Sequence, residues 1–132
     1  MPDRFEELLA RLRDARSVVV LTGAGMAAES GVPTFREAQD GLWARHRPED
    51  LATRLAFARN PRLVWQWYAW RREFVRQAEP HAGHFALARL ERRIPSFTVV
   101  TQNVDGLHQR AGSRHVNEIG RASCRERVLT DV

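Results

Sequence analysis

The chain has 132 residues, 43% of them hydrophobic, and a net charge of +5, so it is long enough to bury one core. All 21 basic residues are Arg and are interspersed with Asp and Glu, and no basic stripe with interleaved aromatic residues for nucleic acid stands out. A single Cys excludes a disulfide framework. The charged, amphipathic start and the lack of a long apolar run predict a cytoplasmic protein without a membrane partner.

The first predicted elements are an amphipathic helix and a strand. Asp3 is a candidate N-cap for a helix that continues to about residue 15. Its apolar residues recur at helical spacing: Phe5, Leu8, Leu9 and Leu12. We therefore expect this helix to belong to the core and to pack on the sheet. The aliphatic run at 18–21 predicts a strand near 17–22 that is buried on both faces.

A glycine-rich turn follows this strand, with Gly23, Gly25 and Ala28 in the spacing G-x-G-x-x-A. This is the Gly/Ala form of the dinucleotide fingerprint. Glycine lets the backbone turn tightly and approach a ligand, and a helix that begins here would direct free N–H groups at a pyrophosphate. The pattern alone fits a plain strand-to-helix turn equally well.

The sequence after the turn departs from a dehydrogenase-type unit, which would continue into a second strand with an acid at its end. Instead, Gly31, Pro33 and Gly41 interrupt it. We interpret this segment as a long loop that covers a bound dinucleotide, because loops of this length are usually functional or disordered and aromatic residues argue against disorder.

Two helices are predicted next, a short one over 51–58 and a long one over 61–78. Asn60-Pro61 is a helix start signal. One face of the long helix is apolar, formed by Leu63, Trp67, Trp70 and Phe74. On the adjacent face, Tyr68 and Arg71 are three residues apart and therefore neighbours. Spacing alone favours a core-edge tyrosine and a solvated arginine.

The rest of the pattern predicts a helix over 81–94, a second parallel strand over 97–101 and a third near 115–119. We interpret His81 and His84 as helix-start and packing residues, since no third metal ligand is nearby. The polar run Gln102-Asn103-Val104-Asp105 follows the second strand, where open α/β sheets bind ligands. It is also compatible with a simple turn.

Three segments, in order, resemble the sirtuins, a family of NAD-dependent protein deacylases. GAGMAAESGVPTFR is similar to the signature G-A-G-x-S-x-x-S-G-[IV]-P-x-F-R, with Ala27 where the family usually has Ser. TQNVDGLHQRAG resembles T-Q-N-[IV]-D-x-L-H-x-x-A-G. LATRLAFARNPRLVWQWYAWRRE resembles the subclass that removes negatively charged acyl groups.

The resemblance implies an α/β fold, an incomplete Rossmann-like parallel sheet flanked by helices. It also implies transfer of succinyl, malonyl or acetyl groups from protein lysine to ADP-ribose, with release of nicotinamide. The Tyr68–Arg71 pair would bind the acyl carboxylate, and His108 would be structural and not a catalytic base. The implied NAD-binding residues are Gly23, Ala24, Gly25, Met26, Pro33, Thr34, Phe35, Arg36, Trp43, Gln102, Asn103, Val104 and Asp105.

The resemblance extends over roughly 5–118, and we therefore expect residues 1–118 to be the N-terminal part of a sirtuin catalytic domain. The family continues with a hydrophobic residue and then His-Gly, whose His is the catalytic base; here Ile119 is followed by Gly120. The four-cysteine zinc module expected in the full-length parent is also missing, and Cys124 alone cannot form it. We expect residues 119–132 to be an artefactual tail from adapter read-through, and this chain to be inactive by itself.

Two other functions stay open at this point. A non-catalytic module that binds NAD or ADP-ribose would need no general base, which agrees with the missing His. An NAD-dependent dehydrogenase domain is disfavoured, because the second strand and its acid are not where that fold requires them.

We predict that the genomic reading frame continues after Glu118 with a hydrophobic residue, His-Gly and then two Cys pairs, because the family pattern stops abruptly there. Independent sequencing of the locus checks this. A read that again gives IGRASCRERVLTDV would show that the tail is genuine.

Overall fold

The computed structural model describes residues 4–34 and 46–119. The helices are α1 (Arg4–Asp14), α2 (Ala24–Ala28), α3 (Pro48–Leu51), α4 (Arg54–Arg59), α5 (Pro61–Gln77), α6 (Ala82–Glu91) and α7 (Leu107–Arg110). The strands are β1 (Ser17–Thr22), β2 (Ser96–Thr101) and β3 (Val116–Glu118). None of the helices within these ranges is both long enough and apolar enough to span a bilayer.

The three strands form one parallel sheet in the order β1-β2-β3, which confirms the predicted α/β class. β2 is the central strand, and Val99 in its middle is completely buried. Thr22 pairs with Thr101, so β1 and β2 end at the same level and the loops that follow them emerge side by side. This alignment brings the glycine turn next to the polar run after β2.

Burial of β1 on both faces was a wrong prediction. Val18 and Val20 pack with the cluster around Phe97 and Val99, but Val19 and Leu21 on the other face are each 68% exposed. An aliphatic run predicts a strand but does not show how many layers cover it. In the described part of the chain, only one face of β1 is covered.

The first helix lies where the periodicity places it, but its predicted place in the core is wrong. No residue of α1 is buried, and Phe5 and Leu8 on its apolar face are 62% and 52% exposed. The N-cap prediction at Asp3 lies outside the described residues. Amphipathic spacing therefore indicates which face of α1 is apolar, whereas burial depends on elements elsewhere in the fold.

The helix predicted over 51–58 is two short helices, α3 and α4. Thr53 separates them, because its extended backbone and its hydroxyl, which accepts a hydrogen bond from the Ala56 N–H at 3.1 Å, begin a new helix. The long helix α5 follows the sequence prediction closely. Asn60 accepts a hydrogen bond from the Leu63 N–H at 3.1 Å, and Pro61 occupies the first turn.

A buried carboxylate joins the end of α6 to the segment that enters β3. The Glu91 side chain is 7% exposed and accepts hydrogen bonds from the backbone N–H groups of Arg114 and His115, at 2.8 and 2.7 Å. The His115 ring also lies 2.7 Å from the carboxylate. Burial alone raises the pKa of Glu91, but these donors outweigh it and lower the pKa below its ordinary value. Glu91 therefore fixes the approach to β3.

Glu91→Gln should destabilise the fold by about 1–3 kcal/mol, because an amide replaces a carboxylate that accepts several hydrogen bonds. The folded-state pKa is depressed, so the contribution is present above the ordinary glutamate pKa and is lost as the pH falls through the folded-state value. Urea titrations at neutral and acidic pH measure the difference. Glu6→Gln, on the exposed face of α1, is the control. A difference in the free energy of unfolding between wild type and Glu91→Gln that stays constant with pH would contradict this role of Glu91.

Candidate functional site

A cavity of about 350 Å³ lies at the carboxyl ends of β1 and β2. This is within the range of about 300–1,000 Å³ typical of small-molecule sites, and it lies where open α/β sheets bind ligands. Four segments contribute: the glycine turn, the loop after it, α5 and the loop after β2. The lining residues are Ala24, Ala27, Val32, Pro33, Trp67, Tyr68, Arg71, Val75, Gln102, Asn103, Val104 and Asp105.

Hydrogen bonds between the two strand-end loops shape the floor of the cavity. The Gln102 N–H donates to the Thr22 carbonyl at 3.1 Å, and the Asn103 side-chain amide donates to the Gly23 carbonyl at 2.9 Å. Asp105 accepts a hydrogen bond from the Leu107 N–H at 2.9 Å, at the start of α7. The side chains of Asn103 and Asp105 and the Gln102 backbone are therefore each held by a hydrogen bond within the protein.

The glycine turn bends tightly and leaves space beside its backbone. The Met26 N–H donates to the Gly23 carbonyl at 2.9 Å, which closes the turn into α2. A Cβ added at Gly25 would meet no atom within 4 Å, so open space adjoins the backbone there. α2 ends at Ala28, and Gly31, with φ of +80°, reverses the chain direction. The backbone at Gly25 is accordingly accessible to a ligand.

Tyr68 and Arg71 on α5 face the same cavity. Tyr68 is 45% exposed, whereas the Arg71 guanidinium is half-buried and donates a hydrogen bond to the Pro33 carbonyl at 3.3 Å. Burial lowers the pKa of Arg71, and the neighbouring Tyr68 has a smaller, opposite effect. The cavity wall thus presents a cationic group beside a phenol, which can together bind a carboxylate.

Three histidines lie side by side behind the glycine turn. His81 caps α6: its Nδ1 accepts a hydrogen bond from the Gly83 N–H at 2.9 Å, and its Nε2 lies 2.8 Å from the Met26 carbonyl. A Cβ at Gly83 would lie only 2.6 Å from the His81 ring, so this arrangement needs glycine. His84 is fully buried, as is His108. These contacts confirm the helix-start and packing roles predicted for His81 and His84.

Most of the expected site residues in the described ranges line this one cavity, both residues expected to bind NAD and the two expected to bind the acyl group. Gly23, Gly25, Met26 and Thr34 are not among the lining residues, although the first three form the adjoining turn. The expected residues Phe35, Arg36 and Trp43 lie outside the described residues. Ala27, which stands where the family usually has Ser, lies in an apolar cluster with Val32.

Sequence reasoning missed four of the lining residues as part of the site: Ala27, Val32, Trp67 and Val75. The signal for two of them was present, because Trp67 precedes Arg71 by four residues and Val75 follows it by four on the same helix. Trp67 was assigned to the apolar face alone. Within residues 4–34 and 46–119, no cluster of three or more His, Cys, Asp or Glu side chains could hold a metal ion.

The sequence matches the profile of the Sir2 family over residues 23–126, a range that extends past Glu118 into the terminal segment. An NAD-dependent protein deacylase from Deinococcus radiodurans is 63% identical over 105 residues, which are 79% of this chain and 43% of that protein. The chain spans less than half the length of the curated relatives it matches, between 42% and 47%.

Solved structures of the same family share the fold. A Sir2 homologue in complex with NAD is 53% identical, with a TM-score of 0.77 over 88% of this chain and 44% of that one. A variant Sir2 homologue in complex with 2'-O-acetyl-ADP-ribose is 56% identical, with a TM-score of 0.75 over 84% of this chain and 44% of the other.

The buried His84 should make the protein sensitive to mild acid. Burial, followed by the neighbouring His81 and His108, lowers the pKa of His84 to about 4. A histidine in the unfolded chain has a pKa of about 6.5, so the unfolded state binds more protons, and the stability should fall between these two pH values as the pH decreases. Unfolding free energies measured from pH 7.5 to 4.5 check this.

In that pH series, His84→Asn should be less stable at neutral pH but show a shallower loss on acidification. The unfolding free energy of the variant should still depend on pH, because burial also lowers the pKa of His108. Equal slopes for wild type and variant would contradict the assignment to His84.

Proposed function

The chain belongs to the Sir2 family, and we propose that it forms the N-terminal part of an NAD-dependent protein-lysine deacylase that prefers negatively charged acyl groups. One observation carries the proposal: Tyr68 and Arg71 face the same cavity as the Gln102–Asp105 run. A site for an acyl carboxylate would thus lie next to a site for the nicotinamide ribose, as acyl transfer between them requires.

NAD is the cofactor that the described residues fit. The turn at Gly23–Gly25 leaves space for a ligand beside the backbone of Gly25, and its N–H groups at the start of α2 would bind the phosphates. Asn103 and Asp105, held by their own hydrogen bonds, would bind the nicotinamide ribose. When bound, NAD would supply the ADP-ribose that accepts the acyl group and the nicotinamide that leaves. Relatives in complex with NAD and with 2'-O-acetyl-ADP-ribose support this assignment.

The substrate would be an acylated lysine of a protein, and Arg71 would select its acyl group. A guanidinium can bind a carboxylate through two parallel hydrogen bonds, and the Tyr68 hydroxyl adds a neutral donor. Half-burial of Arg71 strengthens such a pair, because less water competes for the carboxylate. An acetyl group offers Arg71 no charge. The preference for succinyl- or malonyl-lysine follows from this difference.

The complete enzyme would include more than this chain. The relatives are about twice as long as the region they match, and we assign the general base and the four-cysteine zinc site to the part beyond Glu118. Residues 1–118 would then be the first part of the catalytic domain, with a cytoplasmic location. Deacylation is therefore measured with the full-length protein.

Arg71→Met in the full-length enzyme should lower kcat/KM for succinyl-lysine peptides by about ten- to a hundredfold, since a charge-assisted hydrogen bond contributes about 1.5–3 kcal/mol. Activity on matched acetyl peptides should change far less. Rates of nicotinamide release from NAD at varied concentrations of each peptide are the measurement, and Arg62→Met, at an exposed position early in α5, is the control. Equal losses on both peptides would show that Arg71 is structural and the enzyme a plain deacetylase.

A further inference from the structure

Trp67 occupies a buried position directly behind the two proposed acyl-binding residues. Its side chain is 2% exposed and packs with Leu51, with Leu63 and Trp70 around them. The Trp67 ring meets the Tyr68 ring edge to face, with 4.8 Å between centroids and 76° between planes. A residue fixed in the core thus contacts a residue of the site.

The same indole also lies against Arg71. The guanidinium carbon is 5.1 Å from the Trp67 ring centroid, within the distance of about 6 Å at which a cation is attracted to the face of an aromatic ring. Tryptophan gives the strongest such attraction. Because Trp67 is buried and closely packed in this cluster, its ring presents a well-defined surface to the guanidinium.

A second contact restrains Arg71 from another direction. One terminal nitrogen donates to the Pro33 carbonyl at 3.3 Å, in the loop that follows the glycine turn. A guanidinium has five N–H donors in a planar fork, so the bond to the Pro33 carbonyl engages one of these donors. A long side chain held in its binding position loses less conformational entropy when the ligand arrives, and affinity rises accordingly.

We infer that Trp67 is a positioning residue for acyl selection, which holds the Arg71 guanidinium in the cavity so that an acyl carboxylate meets a preset cation. The inference rests on the proposed function and adds a residue that acts through Arg71. It requires that changes at Trp67 affect the choice between acyl groups and not only the overall rate. The ratio of kcat/KM for succinyl and acetyl peptides is therefore the readout.

The experiment compares Trp67→Leu and Trp67→Phe in the full-length enzyme. Trp67→Leu should lower the succinyl-to-acetyl ratio by about three- to tenfold, because the attraction between the ring and the guanidinium is lost. Trp67→Phe keeps an aromatic face, and its succinyl-to-acetyl ratio should lie within about twofold of wild type. Trp65→Leu, at a position on the same helix that is 59% exposed, should leave it unchanged.

A double-mutant cycle separates a positioning role from a structural one. If Trp67 acts through Arg71, Trp67→Leu should not lower the ratio further in an Arg71→Met background. A ratio that stays at the wild-type value in Trp67→Leu, or that falls equally in both backgrounds, would overturn the positioning role. If either outcome is found together with a lowered ratio in Arg71→Met, the proposed function is still supported. An unchanged ratio in Arg71→Met itself would contradict the proposed acyl preference.

A shape-conserving change tests the same point if Trp67→Leu fails to fold. Fluorinated tryptophan placed at position 67 alone keeps the size of the ring but weakens the negative charge of its face. The ratio should fall stepwise with each added fluorine. A ratio that is independent of fluorination would overturn the positioning role.

Discussion

The parallel pairing of β1 with β2 is the constraint on which the site depends. Thr22 and Thr101 stand opposite each other at the strand ends, and the ladder continues one step further when the Gln102 N–H donates to the Thr22 carbonyl. The Asn103 amide then reaches the Gly23 carbonyl. A shift of one residue in this register would invert the faces of the strand and separate the two loops. Pairing of backbone groups thus sets the geometry of the cavity floor.

Much of the fold could be predicted from local signals, because caps and periodicity act over a few residues. Asn60 and Pro61 begin α5 where the sequence indicates, and the run of one Phe and four β-branched residues over 97–101 forms the central strand. The exposed faces of α1 and β1 could not be predicted, since burial depends on what packs against an element. The N-cap at Thr53, which separates α3 from α4, is also a local signal, but the apolar pattern over 51–58 favours a single helix.

The same distinction applies to the site. Resemblance to the family motifs indicated Tyr68, Arg71 and the Gln102–Asp105 run as site residues, and all of them line one cavity. The contact of Arg71 with the Pro33 carbonyl joins residues 38 positions apart, and no local pattern predicts it. Trp67 was visible as an apolar residue, but its contact with a cation required the three-dimensional arrangement. The sequence therefore indicated the chemical groups of the site better than the contacts that hold those groups in position.

The hydrophobic core and the cavity are continuous along α5, and this continuity restrains a long, flexible cationic side chain. The helix has 17 residues, begins at a strong cap and buries Val64 and Trp67. Arg71 lies one turn beyond Trp67, and its guanidinium lies against the Trp67 ring. Packing that restrains the indole therefore also restrains the surface that the guanidinium contacts. At the other end, Arg71 meets the loop that leaves the glycine turn. The Arg71 side chain is therefore held between the hydrophobic core and the loop after the glycine turn, and its orientation depends on both.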